Sequence, residues 1–157
     1  MILAIDPGPQ QSGYVLFDDG HVVDSGVWAN QQMLFKVQYY SDNPRCTCAI
    51  EMIASYGMAV GAEVFETCVW IGRFVQAWQG LDHNNLLPRL VYRKDVKMHL
   101  CGTTKAKDGN IRQRLIDMLG APGTKKSPGP TYGLNSHMWP ALAVAVTAAQ
   151  TPIGEQS

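Results

Sequence analysis

The sequence predicts an α/β domain in which a mixed five-stranded sheet has helices on both faces. The order of short apolar runs and helical segments along the chain predicts this class. A chain of 157 residues corresponds to one domain, which we place at residues 1–150, with a tail at 151–157. With 46% hydrophobic and 17% charged residues, the composition excludes disorder and a coiled coil.

The first half of the chain contains most of the predicted strands. The apolar run MILAI ends at the Asp6-Pro7-Gly8 turn, and GYVLF is joined to the next strand by the hairpin turn Asp18-Asp19-Gly20. Apolar residues at helical spacing, stopped by Gly80, predict the longest helix. In order, we predict strands at 1–5, 13–17 and 21–27, a helix at 31–40, a strand at 47–50 and a helix at 62–79.

The second half is mostly helical. We predict a strand at 86–92, helices at 93–100 and 110–119, and an apolar helix at 139–150, with a polar loop at 101–109. Residues 121–136 are dense in proline and glycine and predict a mobile surface loop, and loops of this length are more often functional than not.

Charge is unevenly distributed along a chain whose net charge is zero. Residues 89–126 hold ten of the thirteen Lys and Arg but three of the thirteen Asp and Glu, which gives +7 there and −7 elsewhere. A basic half beside an acidic half is typical of a protein that binds a polyanion with one face. A chance bias on solvated helices is the alternative.

Two acids stand at predicted strand ends. Asp6 ends the first strand and Glu51 follows the fourth, and ligands bind at the carboxyl ends of strands in open α/β sheets. Two adjacent carboxylates repel unless a cation neutralises them, and their hard oxygens favour Mg²⁺ or Mn²⁺. The alternative is structural: Asp6 caps the turn and Glu51 is simply exposed.

Other site classes find less support. The four cysteines have no CxxC spacing, and with no signal peptide at the start of the chain we expect reduced thiols in a cytoplasmic protein: Cys46, Cys48, Cys68 and Cys101. They do not converge with His21, His83 and His99 on a zinc pattern, so we expect no zinc. The apolar part of the last helix is too short to span a bilayer, and we expect no membrane partner.

Four segments together resemble the RuvC-type Holliday junction resolvases of the RNase H-like superfamily, especially short phage-type members. ILAIDPGPQQSGYVLFD is similar to that family's first strand and hairpin, and CAIEMIA to the strand with the second carboxylate. VKMHLCGTTKAKDGNIRQRLIDMLG resembles its lysine-and-glycine loop with the following helix, and HMWPALAVAVTAA its terminal helix. The resemblance covers nearly all of residues 1–150.

The resemblance implies a homodimeric, metal-dependent endonuclease that cuts four-way DNA junctions by paired nicks. It implies two Mg²⁺ ions, with Mn²⁺ able to substitute, one to activate water and one to stabilise the leaving oxygen. Asp6 would bridge both ions and Glu51 would bind one. Such an enzyme would serve recombination or repair in the cytoplasm of a bacterial host.

The terminal helix departs from the family pattern. Where the family has two acids three residues apart, this chain has His137 and Pro140. His137 is therefore expected to act as a metal ligand or proton carrier, with an ordinary loop histidine as the alternative. Pro140 cannot bind a metal and fits only the first helical turn, so the helix should begin at Met138 to Pro140. Asp108 is a less favoured metal ligand, because it more readily caps the helix near Asn110.

The basic segment is predicted to contact DNA phosphates rather than read bases. The residues expected to do so are Lys97, Lys105, Lys107, Arg112 and Arg114, with Arg93 and Lys94 beside them. Lys125 and Lys126 could hold a junction arm or be simply solvated. At the family's wedge position the chain has Ala54, and Tyr56 is the possible substitute.

Two other functions fit the sequence. A branched-DNA-binding protein could keep the fold and basic face but lack cleavage, since the fourth acid is missing. An ATPase or kinase of the related fold would use the Asp6 hairpin for phosphate, but the chain has only one such hairpin and is short for a two-lobed cleft.

Overall fold

The computed structural model describes residues 1–80 and 86–151. His83 and residues 152–157 of the predicted tail lie outside these ranges. The elements, in chain order, are β1 (Ile2–Asp6), β2 (Gln11–Asp18), β3 (His21–Ala29), α1 (Asn30–Ser41), β4 (Thr47–Met52), α2 (Ala62–Gln79), β5 (Arg89–Tyr92), α3 (Arg93–Cys101), α4 (Asp108–Leu119), β6 (Gly123–Thr124), β7 (Ser127–Pro128) and α5 (Met138–Gln150).

The first five strands form one mixed sheet in the order β3-β2-β1-β4-β5. Strands β1, β2 and β3 form an antiparallel meander, whereas β4 and β5 run parallel to β1. The predicted mixed five-stranded sheet is therefore confirmed. Since β1, β4 and β5 are parallel neighbours, their carboxyl ends meet at one edge of the sheet.

Helices cover both faces of the sheet, and alternation along β1 shows how. Leu3 and Ile5 face α1 and α2, where Phe74 is completely buried among them. Ala4 faces the other side, where α3, α4 and α5 pack and Leu142 is completely buried. Strands buried on both faces read as continuous apolar runs, which is why MILAI and TCAI lack polar alternation. No helix in the described part of the chain is both long and apolar enough to cross a membrane.

Several boundaries differ from those the sequence predicts. Strand β5 begins at Arg89 rather than Leu86, because Pro88 has no N–H to donate to the ladder. Helix α4 begins at Asp108 rather than Asn110, and the Asn110 side chain accepts a hydrogen bond from the Lys107 backbone N–H at 2.9 Å. Asp108 is thus inside the helix and is not its cap.

The segment predicted as a mobile loop contains a small hairpin. Strands β6 and β7 pair antiparallel, and the two residues between them are Lys125 and Lys126. The glycines explain the tight geometry, because a Cβ on Gly129 would lie 1.9 Å from the Ala121 carbonyl oxygen. The proline and glycine residues that predict a loop therefore form a tight hairpin, and its turn exposes Lys125 and Lys126.

Candidate active site

Three neighbouring parallel strands deliver polar side chains to one edge of the sheet. Ile5 of β1 pairs with Ile50 of β4, so Asp6 and Glu51 are the next residues on the two strands. Glu51 in turn pairs with Val91 of β5, and Arg93 follows that strand directly as the first residue of α3. Residues two apart on a strand share a face of the sheet. Asp6 and Glu51 therefore lie on the same face as Ala4 and Ala49, which is the face covered by α5. Arg93 reaches this side through its contact with Glu51.

Asp6 and Glu51 are in direct contact. Each side chain is only 15% exposed, and the two carboxyl groups lie close enough together that each shifts the pKa of the other. Two ionised carboxylates this close repel each other unless a proton or a cation neutralises one of the charges.

Burial is the main reason why the pKa of each carboxyl is raised. It raises the pKa of the Asp6 carboxyl, and it raises the pKa of Glu51 to about 8 with a further contribution from the neighbouring Asp6 charge. The Arg93 guanidinium opposes both shifts without cancelling them. The pair is therefore stabilised by whatever neutralises one of its two charges, either a proton or a bound cation.

His137 lies beside Asp6 at the same edge of the sheet. It is the last residue before α5, and its Nδ1 atom lies 3.3 Å from Oδ2 of Asp6. Helix α5 begins at Met138, which places Pro140 in its first turn; the predicted start of this helix is confirmed. The histidine side chain is 47% exposed, so solvent reaches it.

The approach of His137 depends on a glycine. Gly13 of β2 pairs with Asp6, and a Cβ at this position would lie 2.2 Å from the His137 carbonyl oxygen and 2.8 Å from its Cβ. Only a residue without a side chain permits the start of α5 to pack so closely on β2.

A buried polar network fixes the loop that follows Asp6. The Ser12 hydroxyl donates to Oδ1 of Asn30 at 2.6 Å, and the Asn30 amide donates to the Gly8 carbonyl at 2.9 Å. Both side chains are almost fully buried, and a satisfied buried network of this kind is rigid. The first catalytic candidate therefore lies on a well-held turn.

Arg93 bridges two acids. Its guanidinium donates to Oε1 of Glu51 at 3.4 Å and forms a shorter ion pair with Asp108. Asp108, at 82% exposure, is thus held by Arg93 rather than by the Asp6–Glu51 pair. The less favoured metal assignment of Asp108 gains no support from this contact.

The donor set suits a divalent cation of the Mg²⁺ class only in part. Two adjacent carboxylates and a nearby imidazole supply hard oxygens and one nitrogen. Within residues 1–80 and 86–151, however, no group of three or more His, Cys, Asp or Glu side chains is arranged as a ready metal site. The residues present therefore fit one ion held by Asp6 and Glu51, with water completing its shell.

Comparisons with solved structures identify the fold. One Thermus thermophilus RuvC structure matches with a TM-score of 0.61 at 19% identity, covering 94% of this chain and 92% of that one. The chain has the RuvC fold. A second match, T. thermophilus RuvC in complex with Holliday junction substrate, gives a TM-score of 0.65 at 18% identity with the same coverage. No protein-family model matches the sequence, and no curated protein does.

The predicted DNA-contacting residues lie on α3, α4 and the loop between them. All but Lys97 are exposed: Lys105, Lys107, Arg112 and Arg114. Arg112 is fixed over the Trp139 ring, with its guanidinium carbon 4.8 Å from the ring centroid. Tyr56, in the segment after β4 that leads away from Glu51, is 67% exposed. Of the basic residues in this segment, Arg93 lies at the carboxylate edge, since α3 begins there and its guanidinium contacts Glu51.

Sequence reasoning missed two site features. The sequence predicts only a phosphate contact for Arg93. However, Arg93 follows the carboxyl end of a parallel strand, as Asp6 and Glu51 lie at the ends of theirs, so the same strand-end argument also places it at this edge. The close packing of His137 on Gly13 could not be predicted from the sequence, because the two residues are far apart in the chain and a glycine alone does not identify its neighbour.

We expect metal-free protein to lose stability as pH rises. Glu51 has an ordinary pKa of 4.5 and a folded pKa of about 8, so its contribution is present below the ordinary value and is lost as pH rises through the folded value. In EDTA, the melting temperature should fall from pH 5 to pH 9 more steeply for the wild type than for Glu51→Gln. Parallel curves for the two proteins would show that the buried pair is not the cause.

Proposed function

We propose that the protein is a divalent-metal-dependent endonuclease that resolves four-way DNA junctions or related branched DNA by paired nicks. The observation that carries the proposal is the buried pair of acids, Asp6 and Glu51, at the parallel-strand edge of a RuvC fold. The substrate class follows by analogy from the RuvC complex with Holliday junction substrate. The activity would belong to recombination or repair in the cytoplasm of a bacterial host.

Asp6 and Glu51 are proposed to hold the cation, and His137 to act beside it. A divalent ion bound there lowers the pKa of a water molecule and neutralises charge on the phosphate. The imidazole of His137, half-exposed and next to Asp6, is placed to accept a proton from the attacking water at its free ring nitrogen. Fixing these groups on strand ends and a helix start provides the positioning that such a reaction needs.

The basic surface supports a polyanionic substrate. Lys105 and Lys107 lie on the loop beside Asp108, and Arg112 and Arg114 follow on the exposed side of α4. Contacts of this kind release counterions, so junction affinity should weaken steeply with salt.

Neutralising two of these lysines tests the surface. We expect the Lys105→Gln, Lys107→Gln double variant to lower the slope of log K against log salt by about two, because each phosphate contact contributes about 0.9. Arg45→Gln, an exposed change at the opposite end of the sheet, is the matched control and should leave the slope unaltered. Fluorescence anisotropy on a labelled junction measures the slope for each variant. An unchanged slope in the double variant would show that Lys105 and Lys107 do not contact the DNA.

We further propose that the protein is a homodimer joined through α1 and α2. Two symmetric nicks require two active sites related by a twofold axis. Large apolar side chains one turn apart are exposed on each helix: Phe35 and Tyr39 on α1, Phe65 and Val69 on α2. These helices pack against each other on the sheet face opposite α5, so the four exposed side chains are on the α1–α2 layer of the protein and not on the layer that contains α5.

A charge placed in this patch should separate the protomers. We expect Phe65→Asp with Val69→Asp to give a folded monomer by sedimentation equilibrium, because an unpaired carboxylate cannot be buried in an apolar interface. Val23→Asp, an exposed apolar residue on β3, is the control and should remain dimeric. A wild type that is monomeric at micromolar concentration would contradict the proposed dimer.

A nicking assay tests the function itself. Purified protein is incubated with a labelled four-way junction, a matched linear duplex and either Mg²⁺ or Mn²⁺. We expect paired nicks in the junction and none in the duplex. Binding without cutting in both metals would instead identify a branched-DNA-binding protein, the alternative favoured by Pro140 in place of an acid.

A further inference from the structure

The charge balance of the catalytic edge includes a cation that belongs to the protein. Arg93 contacts Glu51 and Asp108, and its charge acts on Asp6 as well. When Asp6, Glu51 and Asp108 are all ionised, the three carboxylates and one guanidinium leave a net charge of −2. One divalent ion neutralises this cluster, whereas a second ion would leave it at +2, or at +1 with a phosphodiester bound, and so would bind less favourably.

A cavity lies beside this guanidinium. It has a volume of about 260 Å³, and its walls include Arg93, Asp108, Arg112, Trp139 and Pro140. Pro140 is the position at which the resemblance to resolvases implies a carboxylate, and here it contributes an apolar wall. The cavity therefore has two guanidinium groups and a single carboxylate, that of Asp108, which is already paired with Arg93.

The two arginines are held in place and keep N–H donors that their partners do not use. Arg93 is 26% exposed and a guanidinium has more N–H donors than its two acidic partners use. Arg112 rests on the Trp139 ring at 4.8 Å, a contact that leaves the edge of its guanidinium available. Such planar, fixed donors match the non-bridging oxygens of a phosphodiester.

We propose that Arg93 supplies the positive charge beside the scissile phosphate that a second metal ion would otherwise supply, so that each active site takes one divalent ion. This inference rests on the proposed nuclease function. Arg93 then has two roles. It holds Glu51 and Asp108 in place, and its remaining donors contact a phosphate oxygen in the cavity that Arg93 and Arg112 line.

Metal binding and cleavage are measured together to test it. Calorimetric titration of the wild type with Mn²⁺ should give one ion per protomer, and the cleavage rate should be first order in Mg²⁺. Arg93→Gln should bind Mn²⁺ more tightly, by about tenfold, because a like charge near the ion has been removed. The same variant should cleave about 100-fold more slowly or worse at saturating Mg²⁺, on the scale of a lost charge-stabilising donor.

Two further variants keep the test decisive. Arg93→Lys retains the charge but cannot bridge two carboxylates, so its cleavage rate should lie between those of the wild type and Arg93→Gln; equal rates for the Lys and Gln variants would overturn the charge argument even if one of them is less stable. Arg45→Gln is the control and should bind and cleave like the wild type.

The outcomes separate this inference from the proposed function. Two ions per protomer in a wild type that cleaves, or wild-type cleavage by Arg93→Gln, overturns the role of Arg93 and leaves the nuclease intact. A wild type that binds the junction but never cleaves overturns the nuclease and, with it, the role assigned to Arg93.

Discussion

Asp6→Asn is expected to abolish strand cleavage while junction binding stays as strong as in the wild type or becomes stronger. The metal environment stabilises the transition state by several kcal/mol, which corresponds to a loss of about a thousandfold or more. Binding should persist because the change removes a negative charge that repels the phosphate backbone. Glu51→Gln should behave in the same way, since its side chain occupies the other half of the buried pair.

Cleavage and binding are measured on the same junction for both variants and for Asp42→Asn. Asp42 is exposed and lies between α1 and the start of β4, at the end of the sheet opposite Glu51, so its variant should resemble the wild type. Cleavage by Asp6→Asn above about one per cent of the wild-type rate would remove Asp6 from the reaction.

Gly13→Ala should also lower the rate of strand cleavage, by less than Asp6→Asn does. A methyl group cannot remain 2.2 Å from the His137 carbonyl oxygen, so the start of α5 must move by about 1 Å, a displacement that can lower a catalytic rate by about 100-fold. Overpacking should lower the free energy of unfolding by about 1–3 kcal/mol, which still leaves a folded protein.

The control is Gly61→Ala, where a Cβ meets nothing within 4 Å. It should keep nearly full activity, with at most a small change in stability. If Gly13→Ala cleaves at the wild-type rate, the close packing of His137 on β2 has no part in the reaction.

The sequence predicts the sheet well because its strands are buried on both faces. Continuous apolar runs ending in Asp6 and Glu51 identify both the strands and the edge where they end. Helix α2 has the predicted bounds, 62–79, because Gly80 stops it and a long amphipathic pattern precedes it. These features are local, and so a single sequence carries them.

Contacts between distant segments are much less predictable. Nothing local indicates that Arg93 bridges Glu51 and Asp108, since the ion pairs depend on how α3 and α4 pack. The short β6–β7 hairpin is hidden for a similar reason: glycine and proline indicate a turn or a loop equally well. The roles of Asp6, Glu51 and His137 in catalysis remain predictions, and the geometry shows only that Asp6 lies between the other two.

A crystal structure of the protein soaked with Mn²⁺ at neutral pH, with anomalous difference density calculated at the manganese edge, tests the central claim most directly. We expect one strong peak between the side chains of Asp6 and Glu51, with carboxylate oxygens at about 2.0–2.2 Å. If the manganese lies elsewhere and no peak contacts these two carboxyl groups, the catalytic centre proposed for this chain does not exist.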